Sequence, residues 1–484
     1  MGSTTLTFLG AAGTVTGSKH LLTLRAGSPD QRRILVDAGL FQGPKDLRQM
    51  NWSDFPVPAT TIDTVLVTHA HLDHVGYLPR LVKQGFTGRI LATDATARLA
   101  EIVLRDSAYL QERDAEYAQT RGYSKHARPE PLYRIADVER TLPLFEAVDF
   151  DADVDLGDGV HARWVRAGHI LGAASIHVTA PESSVLFSGD LGRPEHLVLR
   201  QRETPRGADI VLVESTYGDR EHFDPEGATH EAFADAIRRT AERGGSVLVP
   251  AFAVDRTEVV LTVLASLQAA GRIPRLPIYA DSPMALASLR IYRSPAFADE
   301  LRDDVHGLAL SDLDLHELVT VDDSRTLNTP HRPCIIISAS GMATGGRVLH
   351  HLEHMLPDDR HCVVLTGYQA VGTRGRALAE GATQLKMHGA YVPVNAEVVR
   401  DEEFSVHADG SELVDWVAAL DPAPLEVFCV HGEPDSAAAL ATRLGDELGA
   451  VAVVPRPRET VRVGGSALRA ARGARKARES RDPH

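Results

Sequence analysis

The sequence is short of cysteine, and it contains no long apolar run. Only three cysteines, Cys334, Cys362 and Cys429, occur in 484 residues, and each lies in a separate apolar stretch. This spacing excludes a disulfide framework or a C-x-x-C site and indicates buried free thiols in a reducing compartment. No apolar run approaches the roughly 20 residues that a membrane-spanning helix needs. The N-terminus lacks the basic and apolar regions of a signal peptide, so we expect a soluble cytoplasmic protein without membrane contact.

Basic and aromatic residues are also in the minority. The chain has 51 Lys and Arg against 66 Asp and Glu, a formal net charge of −15, and only 5% aromatic residues. This balance excludes a uniformly basic coat for nucleic acid, although a local basic groove stays possible. Few aromatics predict little base stacking. Residues 466–484 are an exception, rich in arginine. We interpret them as a disordered basic tail, with an arm that touches nucleic acid as the alternative.

The first part of the chain has the pattern of short β-strands whose ends carry polar residues. Apolar runs such as ILVDAG and TVLVTH alternate with Gly, Ser and Pro turns. The polar residues that follow such runs are Asp37, His69, His169, Asp190 and Glu214. From about Tyr217 the pattern changes to alternating helices and strands, which is typical of a doubly wound parallel sheet. A shorter strand and helix pattern returns after about Val394.

The densest group of metal-binding residue types is His69-Ala70-His71-Leu72-Asp73-His74, which directly follows the apolar run TVLVT. Burying these polar side chains without partners would cost about 1–3 kcal/mol each, so partners are expected. Zinc binds imidazole nitrogen and carboxylate oxygen, and an open coordination position makes it catalytic. A solvated polar loop is the alternative.

This H-x-H-x-D-H motif resembles that of the metallo-β-lactamase superfamily. The other elements of the family pattern follow in order, with Asp37 in ILVDAG, His169 in AGHILGAAS and Asp190 in FSGDLGR. The resemblance implies two zinc ions that share a bridging aspartate, Asp190. The other implied ligands are His69, His71 and His169 for one zinc and Asp73 and His74 for the second. Asp37 would accept a hydrogen bond from a ligand histidine and fix its tautomer, whereas a turn or cap role is the alternative.

Three further motifs make the chain resemble the β-CASP ribonucleases, as a bacterial homologue of the mRNA cleavage and polyadenylation specificity endonuclease subunit. They are Glu214 in VLVESTYGDR, His407 in FSVHAD and His431 in CVHGE. His431 would complete the second zinc site, because RNA-processing members carry histidine where DNA-repair relatives typically carry valine. Glu214 would keep His407 protonated, so that His407 donates a proton to the leaving oxygen; a structural pair is the alternative. The implied catalytic residues are therefore His407, Glu214, Asp73 and Asp37.

The resemblance also implies an architecture of the α/β class. It predicts an αββα metallo-β-lactamase sandwich with an inserted α/β β-CASP domain, a parallel sheet with flanking helices. We expect the core to occupy residues 1–216 and to return at 398–465, with the β-CASP domain at 217–397 and the tail at 466–484.

A zinc-dependent ribonuclease in RNA processing or decay is the implied function, acting on single-stranded RNA. Two zinc ions would supply hydroxide and neutralise charge on the phosphate, and His407 would act as general acid. The alternatives are a small-molecule metallohydrolase acting on a thioester, lactone or lactam, and a non-catalytic RNA-binding partner. Endonuclease and 5′-exonuclease action both stay open, and a homodimer is expected only by analogy.

Two Gly-rich turns in the second half are candidates for contact with RNA phosphates. One contains Ser338, Ser340 and Gly341 after a buried strand, and the other contains Thr373 and Arg374. Hydroxyls and exposed backbone N–H groups at the start of a helix suit an anion. The alternative is that both are tight turns that the backbone requires.

Overall fold

Two seven-stranded sheets lie face to face in the computed structural model, which describes residues 3–121, 129–222, 229–303, 305 and 310–464. The first sheet consists, from edge to edge, of Thr460–Val463 (β22), Ser3–Phe8 (β1), His20–Ala26 (β2), Arg32–Val36 (β3), Thr64–Leu66 (β4), Arg89–Thr93 (β5) and Phe145–Val148 (β6). The second consists of Ala452–Val453 (β21), Glu426–Val430 (β20), Ile210–Glu214 (β11), Ser183–Phe187 (β10), Ala174–Ala180 (β9), Val160–Arg166 (β8) and Val154–Gly157 (β7). Both sheets therefore combine strands from the two halves of the chain.

Alternation of side chains along these strands determines which residues meet between the sheets. In β3, Ile34 and Val36 lie in the apolar layer between the sheets, whereas Leu35 joins the layer that packs under the helices. β10 and β11 repeat this alternation. Because successive side chains of a strand point to opposite faces, each sheet buries both of its faces. This layering confirms the predicted αββα sandwich, which we call the core.

Helices cover the outer faces of the core. They are Lys45–Met50 (α1), Leu72–Val75 (α2), Leu78–Lys83 (α3), Asp94–Arg121 (α4), Ile135–Thr141 (α5), Gly410–Ala418 (α12) and Pro434–Leu448 (α13). α12 begins with a capping box, in which the Asp409 carboxylate accepts a hydrogen bond from Glu412 N and the Glu412 carboxylate accepts one from Asp409 N. This double cap fixes the chain two residues after His407.

A third sheet, entirely parallel, forms a separate lobe between β11 and β20 in the sequence. Its strands, from edge to edge, are Leu315–Glu317 (β14), Ile278–Ala280 (β13), Ile335–Ser338 (β15), Val247–Pro250 (β12), Cys362–Leu365 (β16) and Glu397–Arg400 (β19). A hairpin of Gln384–Met387 (β17) and Ala390–Pro393 (β18) lies beside this sheet. The helices of the lobe are Glu231–Glu242 (α6), Arg256–Ala269 (α7), Pro283–Tyr292 (α8), Val321–Thr326 (α9), Arg347–Met355 (α10) and Arg374–Ala379 (α11). The lobe is the inserted α/β domain that the sequence predicts.

The strand pattern bears on the predicted domain limits, which stay a proposal. The core strands lie within residues 3–214 and 426–463, and the lobe strands lie within residues 247–400. The proposed limit at residue 397 therefore falls inside β19, which continues to Arg400. The predicted tail lies outside the described residues.

Two features predicted from composition can be checked in the described residues. Cys334, Cys362 and Cys429 are buried and free, as expected. No helix in the described ranges is both long and apolar enough to cross a membrane.

Candidate metal centre

Seven predicted ligands converge at one end of the core, where they follow strands of both sheets. The hexapeptide that begins at His69 follows β4 and enters α2, while the remaining ligands follow β8, β10 and β20; these are His169, Asp190 and His431. β11 and β20 run parallel with Glu214 opposite Val430, so Glu214 and His431 end adjacent strands. β3 and β4 are parallel neighbours as well, with Val36 opposite Leu66, which brings Asp37 close to the hexapeptide.

The first ligand group consists of His69, His71, His169 and Asp190. His71 Nδ1 lies 3.2 Å from His69 Nε2 and 3.3 Å from His169 Nε2. Asp190 Oδ2 lies 3.5 Å from His69 Nε2 and 3.7 Å from His169 Nε2. Ligands about 2.0–2.1 Å from a tetrahedral zinc would be about 3.3–3.4 Å apart, so these four atoms suit one zinc ion.

The second group consists of Asp73, His74 and His431. His431 Nε2 lies 3.2 Å from His74 Nε2 and 3.4 Å from Asp73 Oδ2. Asp190 reaches this group with its other oxygen, since Oδ1 lies 3.3 Å from His74 Nε2 and 3.6 Å from His431 Nδ1. The carboxylate of Asp190 thus lies between the two groups, with one oxygen facing each.

Asp190 also provides the clearest test of whether a cation fits. Its side chain is 2% exposed, and Oδ1 has no contact of hydrogen-bond geometry among the described residues. The neighbours of this buried oxygen are the imidazole nitrogens of His74 and His431, and a bound cation would satisfy the missing hydrogen bond. The residues present therefore fit a pair of metal ions.

The imidazoles of the first group are in the protonation state that a metal ligand needs. Burial lowers the pKa of His69 and His169 far below the ordinary value, and their neighbouring imidazoles lower it further. Burial lowers the pKa of His71 to about 4. These three rings are neutral at pH 7, the form that binds metal. Burial would also lower the pKa of His74, but the carboxylates of Asp190 and Asp37 together raise it.

A buried aspartate supports the ligands from behind. Asp37 Oδ2 lies 2.7 Å from Nδ1 of His74, which leaves Nε2 directed towards the ligand group. Thr68, absent from our sequence predictions, holds this carboxylate by donating from its backbone N to Oδ1 (2.8 Å) and from its hydroxyl to Oδ2 (2.9 Å). The one sequence feature that could have pointed to Thr68 is its position directly before His69. Such outer contacts orient metal-binding histidines.

A second imidazole–carboxylate pair lies beside the first ligand group. His407 Nδ1 is 3.1 Å from Glu214 Oε1, and the His407 ring is 4.4 Å from that of His169 between centroids. The loop of Asp190 holds His407 in place, because Ala408 N donates to Leu191 O at 2.8 Å. Burial would lower the pKa of His407, but the Glu214 carboxylate outweighs this and raises it. The pair can therefore present a protonated ring next to the metal centre.

Sequence reasoning also missed Lys19, which is buried close to Asp73. Its ammonium group lies 4.3 Å from the ring centroid of Phe41 and 5.1 Å from that of Tyr77. Burial lowers its pKa to about 7, although the nearby Asp73 raises it slightly. No feature of the local sequence distinguishes this lysine from a surface one.

The predicted phosphate-binding residues of the first Gly-rich turn lie at the boundary between lobe and core. A Cβ at Gly341 would lie 2.8 Å from the ring of Phe252, and that ring is 6.2 Å from that of His71 between centroids. Ser338 is buried and donates its hydroxyl to Asp281 O. Ser340 is half-buried, and its hydroxyl contacts that of Thr344 at 3.0 Å.

The second turn lies at the same boundary. A Cβ at Gly372 would lie 3.1 Å from Pro44 N of the core. Thr373 caps α11 by accepting a hydrogen bond from Arg376 N at 3.1 Å. Arg374 is half-buried, and its Nε donates to Lys386 O at 2.9 Å. Its pKa is lowered by burial and by the positive charge of Arg48 of the core.

Comparison with known families accounts for most of the described chain. Residues 27–251 match the metallo-beta-lactamase superfamily, residues 257–378 match the Beta-Casp domain, and residues 391–455 match the Zn-dependent metallo-hydrolase RNA specificity domain. Ribonuclease TTHA0252 of Thermus thermophilus is 37% identical over 441 residues, which cover 90% of this chain and 94% of the relative. The chain belongs to the β-CASP family of metallo-β-lactamase hydrolases.

Other β-CASP relatives and one solved structure extend the likeness. An RNase J-like protein of Methanocaldococcus jannaschii is 30% identical over 404 residues, covering 83% of this chain and 87% of that protein. A protein of unknown function from Enterococcus faecalis V583 has a TM-score of 0.51 at 13% identity, over 95% of this chain and 100% of that one. At this identity the structural likeness concerns the fold alone. The predicted family is confirmed.

Proposed function

We propose that this protein is a zinc-dependent ribonuclease that hydrolyses phosphodiester bonds of single-stranded RNA in RNA processing or decay. The observation that carries the proposal is the placement of Asp190 between two ligand groups with His407 and Glu214 beside them. The names of the relatives, a ribonuclease and an RNase J-like protein, support RNA as the substrate.

In this proposal, each ligand group holds one zinc ion. His69, His71 and His169 hold the first, and Asp73, His74 and His431 hold the second, with Asp190 shared. When bound, zinc supplies hydroxide at neutral pH and neutralises charge on the phosphate oxygens. Asp37 keeps the His74 ring in the tautomer whose Nε2 is free for the metal, because it accepts from Nδ1.

His407 supplies the proton that the leaving oxygen needs. Its Nδ1 is engaged by Glu214, so Nε2 is the atom that can reach the substrate. Glu214 is fully buried and accepts from Leu191 N at 2.7 Å, so the carboxylate is fixed before the substrate arrives. Donation of the Nε2 proton leaves a neutral ring, which takes a proton from water before the next turnover.

Substrate would enter along the boundary between core and lobe. The positive charge of Arg48 lowers the pKa of Arg374 there, and a bound anion would relieve this repulsion. This basic pair offers a local site for phosphate on an acidic chain. Ser340 and Gly341 would approach the phosphate next to the metal centre. The hydroxyls of Ser338 and Thr373 already have partners within the lobe, so their share in phosphate binding would be through the backbone.

Three finer points belong to the same proposal. We place the enzyme in the cytoplasm, because its three buried cysteines are free. We keep the domain limits 1–216, 217–397 and 398–465. A homodimer is proposed by analogy, and light scattering of the purified protein would test it.

The proposal is tested by cleavage of a 5′-labelled single-stranded RNA with zinc-loaded protein. We expect short products with wild type and almost none with His69→Ala or His407→Ala. His161→Gln, which removes a partly exposed histidine that contacts Asp153, should cleave as wild type does. Absence of cleavage by wild type, or undiminished cleavage by the His69→Ala variant, would overturn the proposal.

A further inference from the structure

A second group of histidines lies on the lobe, away from the metal centre. His350 and Glu353 occupy α10, and His388 lies at the turn between β17 and β18. His388 Nδ1 is 2.9 Å from Glu353 Oε2, and the rings of His388 and His350 stack with centroids 4.6 Å apart. One donor atom from each of the three residues lies within 4.8 Å of the others. We call this group the lobe cluster.

The donor set of the lobe cluster suits a transition-metal ion. Two imidazole nitrogens and one carboxylate oxygen are ligands that zinc and similar divalent ions prefer. His350 and Glu353 are three residues apart on a helix, a spacing that puts both side chains on one face. Burial and the neighbouring His388 lower the pKa of His350, so this ring is neutral at pH 7.

The turn that carries His388 has a left-handed backbone. His388 has φ +47° and Gly389 has φ +89°, as in a two-residue hairpin turn. Among residues other than glycine, Asn, Asp and His are enriched in this region. Glu353 contacts Nδ1 of His388 in this conformation.

A carboxylate of the core interacts with the lobe cluster electrostatically. Asp114 lies on α4, where burial raises its pKa and the nearby His388 opposes that rise. Asp114 is thus close enough to His388 to interact with it electrostatically. A cation at the lobe cluster would attract this carboxylate across the boundary between core and lobe.

We propose that His350, Glu353 and His388 bind a divalent transition-metal ion, such as zinc, outside the catalytic centre. The ion fastens the hairpin β17–β18 to α10 and attracts Asp114 of α4. The hairpin also contacts Arg374, which we place on the substrate path. The carbonyl oxygen of Lys386 in β17 accepts a hydrogen bond from Nε of Arg374. The ion therefore steadies Arg374 as well. The binding claim does not depend on ribonuclease activity.

The test compares metal content and stability. Full-length protein is stripped with chelator, reloaded with zinc, desalted and assayed for bound zinc per chain. Compared with wild type, His350→Gln and His388→Asn should each bind one zinc fewer. Asparagine tolerates the left-handed turn, so His388→Asn removes the imidazole and spares the hairpin. His161→Gln is the matched control, because it removes a surface histidine with a single carboxylate partner.

The second measurement follows the hairpin itself. Zinc should slow amide hydrogen exchange in residues 384–393 of wild type and of His161→Gln, and it should have no such effect in His350→Gln. Equal zinc content in wild type and both cluster variants would overturn the proposal. Loss of one zinc in His161→Gln as well would mean adventitious surface binding only and would overturn it too. If the catalytic centre held no metal, the difference of one zinc between wild type and variants would persist.

Discussion

The strand ends of the core and those of the lobe show the same sequence pattern but differ in what their polar side chains do. In the core, Asp190 follows a buried strand and keeps a buried oxygen without a hydrogen-bond partner. In the lobe, Ser338 ends a buried strand, and its hydroxyl is already bonded to Asp281 O. The hydroxyl of Thr373 likewise already accepts a hydrogen bond from the backbone at the start of α11. A polar residue after a strand is therefore a good candidate for binding metal or substrate only when its polar atoms lack hydrogen-bond partners within the protein.

A second difference concerns support. The candidate ligands of the core are held by further residues: Asp37 contacts His74, and Thr68 in turn holds Asp37. The side chains of the lobe cluster are about a third exposed, 30% for His388 and 33% for Glu353. Buried, supported ligands bind metal with less loss of side-chain freedom. We therefore expect substitutions in the core to have larger effects than those in the lobe.

The largest effect is expected for Asp190→Asn. Asparagine has a single side-chain oxygen and no charge, so both ligand groups lose the carboxylate that they share. RNA cleavage should fall by roughly 10³-fold or more, with loss of bound zinc. Asp209→Asn, at the opposite end of β11, serves as control for fold and should keep activity and zinc. Normal zinc content and activity in Asp190→Asn would contradict the bridging role.

His407→Gln should reduce kcat by roughly 10²–10⁴-fold, the usual contribution of a general acid. Bound zinc should stay at the wild-type level, because His407 is not among the ligands. Single-turnover cleavage together with metal analysis separates these effects. Parallel loss of zinc would instead make His407 a structural partner of His169.

Asp37→Asn should weaken zinc binding by roughly 10–100-fold, as is typical when an outer partner of a ligand histidine is lost. The amide can also present a donor to His74 and so favour the wrong tautomer. Competition with a chromogenic chelator measures the affinity. High zinc concentration should restore most of the activity, and failure to do so would argue for a role beyond metal binding.

A smaller effect is expected at Arg374 in the lobe. Arg374→Ala should weaken RNA binding and reduce the slope of log affinity against log salt by about 0.7, the value for one phosphate contact on a single strand. Arg374→Lys should restore the slope. Arg376→Ala is a matched control on the same helix, since Arg376 is neutralised by Glu380 at 2.6 Å. Equal slopes for both alanine variants would contradict phosphate contact by Arg374.

The smallest effect concerns Asp106 on α4, at the boundary of core and lobe. Burial raises its pKa from 3.8 to about 6, and Arg347 of the lobe opposes this rise. The folded state holds the proton more tightly, so the free energy of unfolding decreases as pH rises from about 4 to about 6. At about 1.4 kcal/mol per pKa unit the shift corresponds to at most about 3 kcal/mol, so Asp106→Asn should increase this free energy by about 1–3 kcal/mol at pH 8 and leave it unchanged near pH 4. Urea unfolding at both pH values measures the difference, and equal gains at both would contradict the assigned cause.

Local sequence motifs pointed to the hexapeptide of the candidate metal centre but not to the residues that support it. His69, His71, Asp73 and His74 are adjacent in sequence, so their common location follows from chain connectivity. Resemblance placed His431 with them across more than 350 residues, which no local pattern could do. Thr68 and Lys19 escaped prediction because their roles depend on neighbours that only packing brings close. For the same reason, the sequences of the turns around Ser338 and Thr373 do not reveal that the hydroxyls of these residues have hydrogen-bond partners within the lobe.

The parallel pairing of β11 with β20 has a consequence for synthesis of the protein. His407 and His431 are translated after the whole lobe, and the last strand, β22, pairs with the first, β1. A nascent chain that ends near residue 400 contains neither His407 nor His431. In the proposed mechanism, the proton donor and the last metal ligand are therefore synthesised only after most of the chain.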